Sequence, residues 1–246
     1  QEWIAALRLR LPAAMRIFRL PASATDDRIF GGLDLAATIA TGKPVAERGV
    51  LADADGGVVV IPLVERMPVA TQARLGAVID TGTAQVLRDG VNAQFDARFA
   101  LIVIDESDEE MWGVAAPLRD RLALVLDGDV RLDESLLPTA AVVARARARV
   151  ADVSADDEVF RGLGGLCVAF GIASDRAARY ALWTARALAA LDARDDVEED
   201  DVALAVQLVL APRATRMPPP EDEKTAPPPA DGEPAPPDPT RCRRPR

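Results

Sequence analysis

Val58-Val59-Val60-Ile61, entered from Gly56-Gly57 and followed at once by Pro62, constrains the fold of this chain more than any other stretch. An uninterrupted β-branched run suits a strand covered on both faces, as at the centre of a parallel sheet. Proline cannot donate to a ladder, so the strand stops there.

Two similar runs, Phe99 to Asp105 and Arg121 to Asp129, predict further buried strands, and Met15 to Pro21 predicts one that Pro21 ends. Helical spacing covers Glu2 to Leu9, about Leu33 to Ala40, and Val69 to Gly82, where glycine is the stop signal. A Gly-Lys-Pro turn follows the second of these, and Asp89-Gly90 sits between two alternating runs as a hairpin turn. Strands alternating with helices imply a parallel α/β sheet. From Leu136 onward the pattern is helical throughout. About four helices are expected there, with Ser154 and Ser174 as N-caps of the second and third. Residues 213–246 hold most of the prolines, are acidic and lack apolar periodicity, which predicts a disordered linker. The expected organisation is therefore an α/β domain over 1–135, a small all-α domain over 136–212 and the linker.

Composition removes whole classes of chemistry. Among 246 residues there is no histidine, so Ser-His-Asp triads, histidine acid/base steps and histidine metal ligands are excluded. Acidic residues outnumber basic ones 39 to 29, for a net charge of −10, which opposes non-specific binding to nucleic acid or to anionic membrane. Cys167 and Cys242 lie far apart and form neither a disulfide framework nor a CxxC pair, as in a reducing compartment. No run is long enough to span a membrane and the first residues have no signal-peptide architecture. A cytoplasmic protein is expected.

Four motifs bear on chemistry. Ala-Thr-Gly42-Lys43-Pro44 contains the Gly-Lys of a phosphate loop. A P-loop, however, also needs a glycine five residues before Gly42 and Ser or Thr after the lysine; those positions hold Ala37 and Pro44, so a surface turn is expected. The strand ending in Val58 to Ile61 is of the kind that in nucleotide hydrolases ends in an acidic pair holding magnesium. Pro62 and Leu63 stand there instead, leaving a nucleotide site without its chemistry or a plain core strand. Asp105-Glu106 ends another apolar run and resembles a magnesium-binding pair, beside the plainer reading of a solvated acidic loop. Arg119 and Arg121, and Arg176 and Arg179, read either as salt-bridged surface residues or as groups that reach a phosphate.

An α/β domain followed by a helical lid is the element order of the AAA+ ATPases. More narrowly, residues 20–61, LPASATDDRIFGGLDLAATIATGKPVAERGVLADADGGVVVI, resemble the magnesium chelatase stretch LPxxATxDRxxGxLDxxxAxxxGxxxxxxGLLAxAxxGxLYIDE. The resemblance spans almost all of residues 1–212. It implies that Pro62 and Leu63 replace the Walker B acids and that Asp105 or Glu106 falls near the sensor 1 asparagine. No Walker A is found in the chain as given, either lost or lying before Gln1. These departures imply the degenerate D-type subunit and not the I-type ATPase, and residues 213–246 are similar to the linker that precedes the integrin-I-like domain of the D type. Arg121, with Arg119 as the substitute, matches the arginine-finger position, and Arg176 matches sensor 2.

What the resemblance implies in full is a platform without ATPase activity of its own, active in chlorophyll or bacteriochlorophyll biosynthesis. It would assemble with the I-type ATPase of magnesium chelatase, which binds ATP and Mg2+, and couple it to the porphyrin-binding H-type component. Two alternatives stay open: an active ATPase with an upstream P-loop that uses Asp105-Glu106, and an adaptor of the MoxR or cobalt chelatase type.

Overall fold

A computed structural model describes residues 2–216 apart from 89, 108–112 and 127–132. Helix α1 (Glu2–Arg10) leads to β1 (Ile17–Arg19). Helix α2 (Asp26–Phe30) then runs straight into a hairpin of β2 (Gly31–Leu33) and β3 (Ala46–Arg48), with α3 (Leu35–Thr41) between its arms. Asp34 caps α3 by accepting from Ala37 N (2.9 Å), and Gly42, at φ 67, closes it in the left-handed conformation. The Gly-Lys-Pro turn is this helix stop, as expected, and no phosphate cradle. Helix α4 (Val50–Asp53) precedes β4 (Val58–Ile61).

Strand β4 is the centre of a three-stranded parallel sheet. Val58 pairs with Ile17 on one side and with Ala100, the first residue of the later edge strand, on the other. All four β4 side chains are 0–3% exposed, as the unbroken apolar run requires. Helix α5 (Val69–Thr81) covers the sheet through Leu75 and Val78 and ends at Gly82, at φ 66. Strands β5 (Thr83–Arg88) and β6 (Val91–Asp96) form the hairpin expected around residue 90, and β7 (Ala100–Val103) returns to the sheet. Short α6 (Ala116–Arg119) closes the α/β half.

One expected strand is missing. Residues 121–126 of the Arg121 to Asp129 run have no strand conformation, and residues 127–129 lie outside the described residues. An apolar run becomes a strand only where a neighbour completes its ladder. Among the described residues β7 is the sheet edge and pairs with β4 alone, so Leu122 packs on the core while Leu124 and Leu126 are exposed.

Four helices make the second half: α7 (Ala140–Arg149), α8 (Asp157–Ala169), α9 (Asp175–Leu191) and α10 (Glu199–Ala205). Ala177, Ala181, Ala185 and Ala189 of α9 recur every fourth residue and are fully buried, a narrow seam that lets α7, α8 and α10 pack around it. Ser174 caps α9 by accepting from Arg176 N, as expected. Ser154 does not cap α8. Asp156 holds that position, while Ser154 N donates to Asp195 O and Ser154 O accepts from Val197 N, a one-residue parallel bridge to the turn before α10. Near it, Asp201 is buried and takes two hydrogen bonds from Arg194, which hold its carboxyl below the usual range against the opposing effect of burial.

Residues 213–216, grouped with the linker on composition, pack with these helices. Arg213 donates to Val209 O and Leu122 O, and the amides of Thr215 and Arg216 donate to Phe170 O. The chain through Arg216 is one compact unit. The linker expected beyond it concerns residues 217–246, which lie outside the described residues.

Candidate functional site

At the carboxyl end of β4 the chain turns sharply. Leu63 takes φ 53 and ψ 48, left-handed for a non-glycine residue, and starts a short turn over Val64–Arg66. That conformation costs about 1–2 kcal/mol without a compensating contact. The compensation lies on both sides of it. Val64 N donates to Ile104 O (3.0 Å), and fully buried Gln72 of α5 reaches under the turn. Gln72 Nε2 donates to Val64 O and Met67 O, with a longer contact to Gly113 O (3.4 Å), and its Oε1 accepts from Ala115 N (2.7 Å). Pro62 and Leu63 contribute only hydrocarbon here. Neither side chain has an oxygen to bind a cation or orient a water.

Asp105 and Glu106 follow β7, across from that turn. Burial draws the Asp105 carboxyl upward, but the Ser107 side chain and the amides of Ser107, Gly113 and Val114 outweigh it, leaving the carboxyl below the usual range. The observed bonds are Ser107 N to Oδ1 (3.0 Å) and Gly113 N to Oδ2 (2.8 Å). Asp105 is thus a loop organiser, each of its oxygens accepting from an amide of its own loop. Glu106 donates its amide to Glu65 Oε2 (3.3 Å), which brings a third carboxylate to the place. Among the described residues, no three His, Cys, Asp or Glu side chains converge on a point that would hold a metal ion.

The arginines gather elsewhere, where α5, the end of α6 and the start of α9 meet. Arg121 lies along α5. A Cβ on Gly76 would sit 3.1 Å from its Cδ and 3.2 Å from its Nε, so glycine makes the groove that its stem occupies. Its guanidinium donates to Pro117 O and pairs with Asp80, one helical turn after Gly76. Arg176 donates to Asp120 Oδ2 (2.7 Å) and also reaches Asp80 (3.3 Å), so Asp80 serves both arginines. The Arg121 hydrogen bond is the main reason the Asp80 carboxyl is held below its usual range; the reciprocal effect raises Arg121. Tyr180 Oη donates to Arg121 O (3.4 Å), and burial pushes its phenol up. Arg119 ends α6 immediately before this cluster, and Arg179, next on α9, faces solvent.

The structure therefore brings Arg121 and Arg176 together on one carboxylate and keeps Pro62, Leu63, Asp105 and Glu106 at the strand ends. Sequence reasoning missed Gly76, Asp80, Asp120, Gln72 and Glu65. The Gly76 and Asp80 spacing puts both on one helix face, but the partner they serve lies 41 residues beyond Asp80.

Comparisons with known proteins agree with this architecture. The AAA lid domain family matches residues 164–231. The magnesium-chelatase 60 kDa subunit of Cereibacter sphaeroides is 36% identical over 235 residues, covering 89% of this chain and 38% of that protein. The magnesium-chelatase 67 kDa subunit of Chlorobaculum parvum is 31% identical over 230 residues, 85% of this chain and 37% of that protein. The chain is similar over most of its length to the AAA+ part of the larger magnesium-chelatase subunits. The 38 kDa magnesium-chelatase subunit of Rhodobacter capsulatus is more distant, 27% identical over 233 residues, 84% of this chain and 66% of that protein. The likeness thus favours the larger, D-type subunits, of whose length this chain spans a little over a third. No helix among the described residues is long and apolar enough to cross a membrane.

Proposed function

We propose that this chain is a non-hydrolysing AAA+ platform of a magnesium chelatase, with an α/β domain over 1–135, a lid over 136–212 and a linker over 213–246. One observation carries the reading: the strand that packs the core is intact through Ile61, and the two residues after it, where the family has its acids, are Pro62 and Leu63. Asp105 is read as an organiser of its own loop, each carboxylate oxygen accepting from one of that loop's amides. The chain assembles in the cytoplasm with the I-type ATPase, which holds ATP and Mg2+, and couples turnover to the porphyrin-binding H-type component. Arg121, or Arg119 beside it, contacts the neighbour's nucleotide in trans, and Arg176 stands at the sensor 2 position.

Charge supports this division of labour. An arginine stabilises the charge that develops on a transferring phosphoryl group without needing a metal of its own. In a mixed assembly the parent chain raises ATP turnover by the I-type ATPase, and Arg121→Ala lowers that rise by about tenfold or more, as loss of a trans arginine does. Unchanged turnover with both Arg121→Ala and Arg119→Ala removes the trans assignment.

A further inference from the structure

The surroundings of Arg121 are built to hold it back. Its stem lies in the groove that Gly76 leaves on α5, and the side chain is only 18% exposed. One end of the guanidinium is bound to Pro117 O and the other to Asp80, while Nε is buried without a hydrogen-bond partner. Fixed in this way the guanidinium points along its own chain, with both terminal nitrogens already bonded within that chain. Asp80 is shared, so the departure of Arg121 leaves the carboxylate paired with Arg176, which keeps its second bond to Asp120. The release therefore strands no bare carboxylate, and the link between α5 and the lid persists.

From this geometry we propose that Gly76 and Asp80 are positioning residues that hold Arg121 withdrawn, so that a phosphate presented by a neighbouring protomer takes it only in exchange for Asp80. Gly76 supplies the space and Asp80 the competing anion. The second half of this inference rests on the trans role given to Arg121 above; the first half does not. The balance is set locally, because both cradle residues lie on one face of one helix.

The test uses the full chain and reads the rate at which phenylglyoxal, an arginine-selective reagent, modifies Arg121, followed by peptide mass spectrometry. Asp80→Asn removes the competing charge, and Gly76→Ala fills the groove while leaving the Asp80 to Arg176 pair in place. Alanine is the better helix former, so the second variant does not depend on a weakened fold. Asp80→Asn raises Arg121 modification by up to about fivefold, the size expected for loss of one partly exposed ion pair, and Gly76→Ala raises it in the same direction by displacing the stem. Asp80→Glu, which keeps a carboxylate, stays near the parent rate. Modification at the parent rate in both Asp80→Asn and Gly76→Ala overturns the cradle. In a mixed assembly with the I-type ATPase, both variants increase stimulated ATP turnover at limiting chain. Faster modification with unchanged turnover keeps the cradle and removes the trans role of Arg121, so the two readings fail separately.

Discussion

In the proposed function the carboxyl end of β4 and the arginine cluster on α5 are two halves of what a hydrolytic AAA+ site needs, diverged in opposite ways. At β4 a proline and a left-handed leucine stand where a hydrolytic site would carry its acids, and the turn is held by backbone bonds and by buried Gln72. At α5 the charged groups remain, and the chain's own carboxylates occupy them. The first change cannot be reversed by motion, because no rotamer gives hydrocarbon a lone pair. The second can, because exchanging one anion for another costs little where the cluster is partly exposed. Under the proposed function, such a chain does not cleave a nucleotide itself and touches one bound by its neighbour.

Removing the support of the β4 turn gives the largest expected effect. Gln72→Ala leaves Ala115 N and the Met67 carbonyl without their partner and takes one of two donors from the Val64 carbonyl, at a cost of about 3 kcal/mol in urea unfolding. A loss below about 1 kcal/mol would mean that the turn does not depend on the glutamine. Next, Leu63→Val places a β-branched residue in the left-handed region and costs about 1–2 kcal/mol, whereas Leu63→Asn, which tolerates that region, stays within about 0.5 kcal/mol of the parent. Equal effects of the two would show that backbone conformation is not what the position selects.

The arginine cluster is expected to matter less for folding. A double-mutant cycle between Asp80→Asn and Arg121→Ala gives a coupling of about 1 kcal/mol at low salt, shrinking as salt is raised. A coupling of zero would separate the pair energetically despite its geometry. The smallest effect is its pH dependence. The Asp80 carboxyl is depressed in the folded chain, so its contribution is complete above the ordinary unfolded carboxylate range and is lost as pH falls through the lower folded value. The stability gap between parent and Asp80→Asn therefore closes on acidification below about pH 4 and is flat near neutrality. A gap that opens toward low pH would reverse the assigned sign.

Much of the fold is legible in the sequence because it rests on local signals. The unbroken run at β4, the β5–β6 hairpin and the Gly82 helix stop each declare themselves within a few residues. The Arg121 to Asp129 run misleads for a physical reason: its pattern reports burial preference, whereas a strand needs a neighbour that no local pattern encodes. Ser154 misleads similarly, because serine suits an N-cap and a bridge equally well and only the turn before α10 decides between them. The candidate site divides along the same line. Pro62 and Leu63 are legible as hydrocarbon after a buried strand, and Arg121 and Arg176 as arginines, while the carboxylate that joins the two arginines is not. Gly76, Asp80 and Gln72 are invisible as site residues, since each acts on groups that folding alone brings near.

The central claim is that this chain works by assembly and not by hydrolysis. Its most direct test is steady-state ATP turnover by the purified full chain, alone, in magnesium buffer. No turnover above background is expected. Robust hydrolysis that disappears in Asp105→Asn or Glu106→Gln would contradict it, and would make those two carboxylates the working magnesium pair.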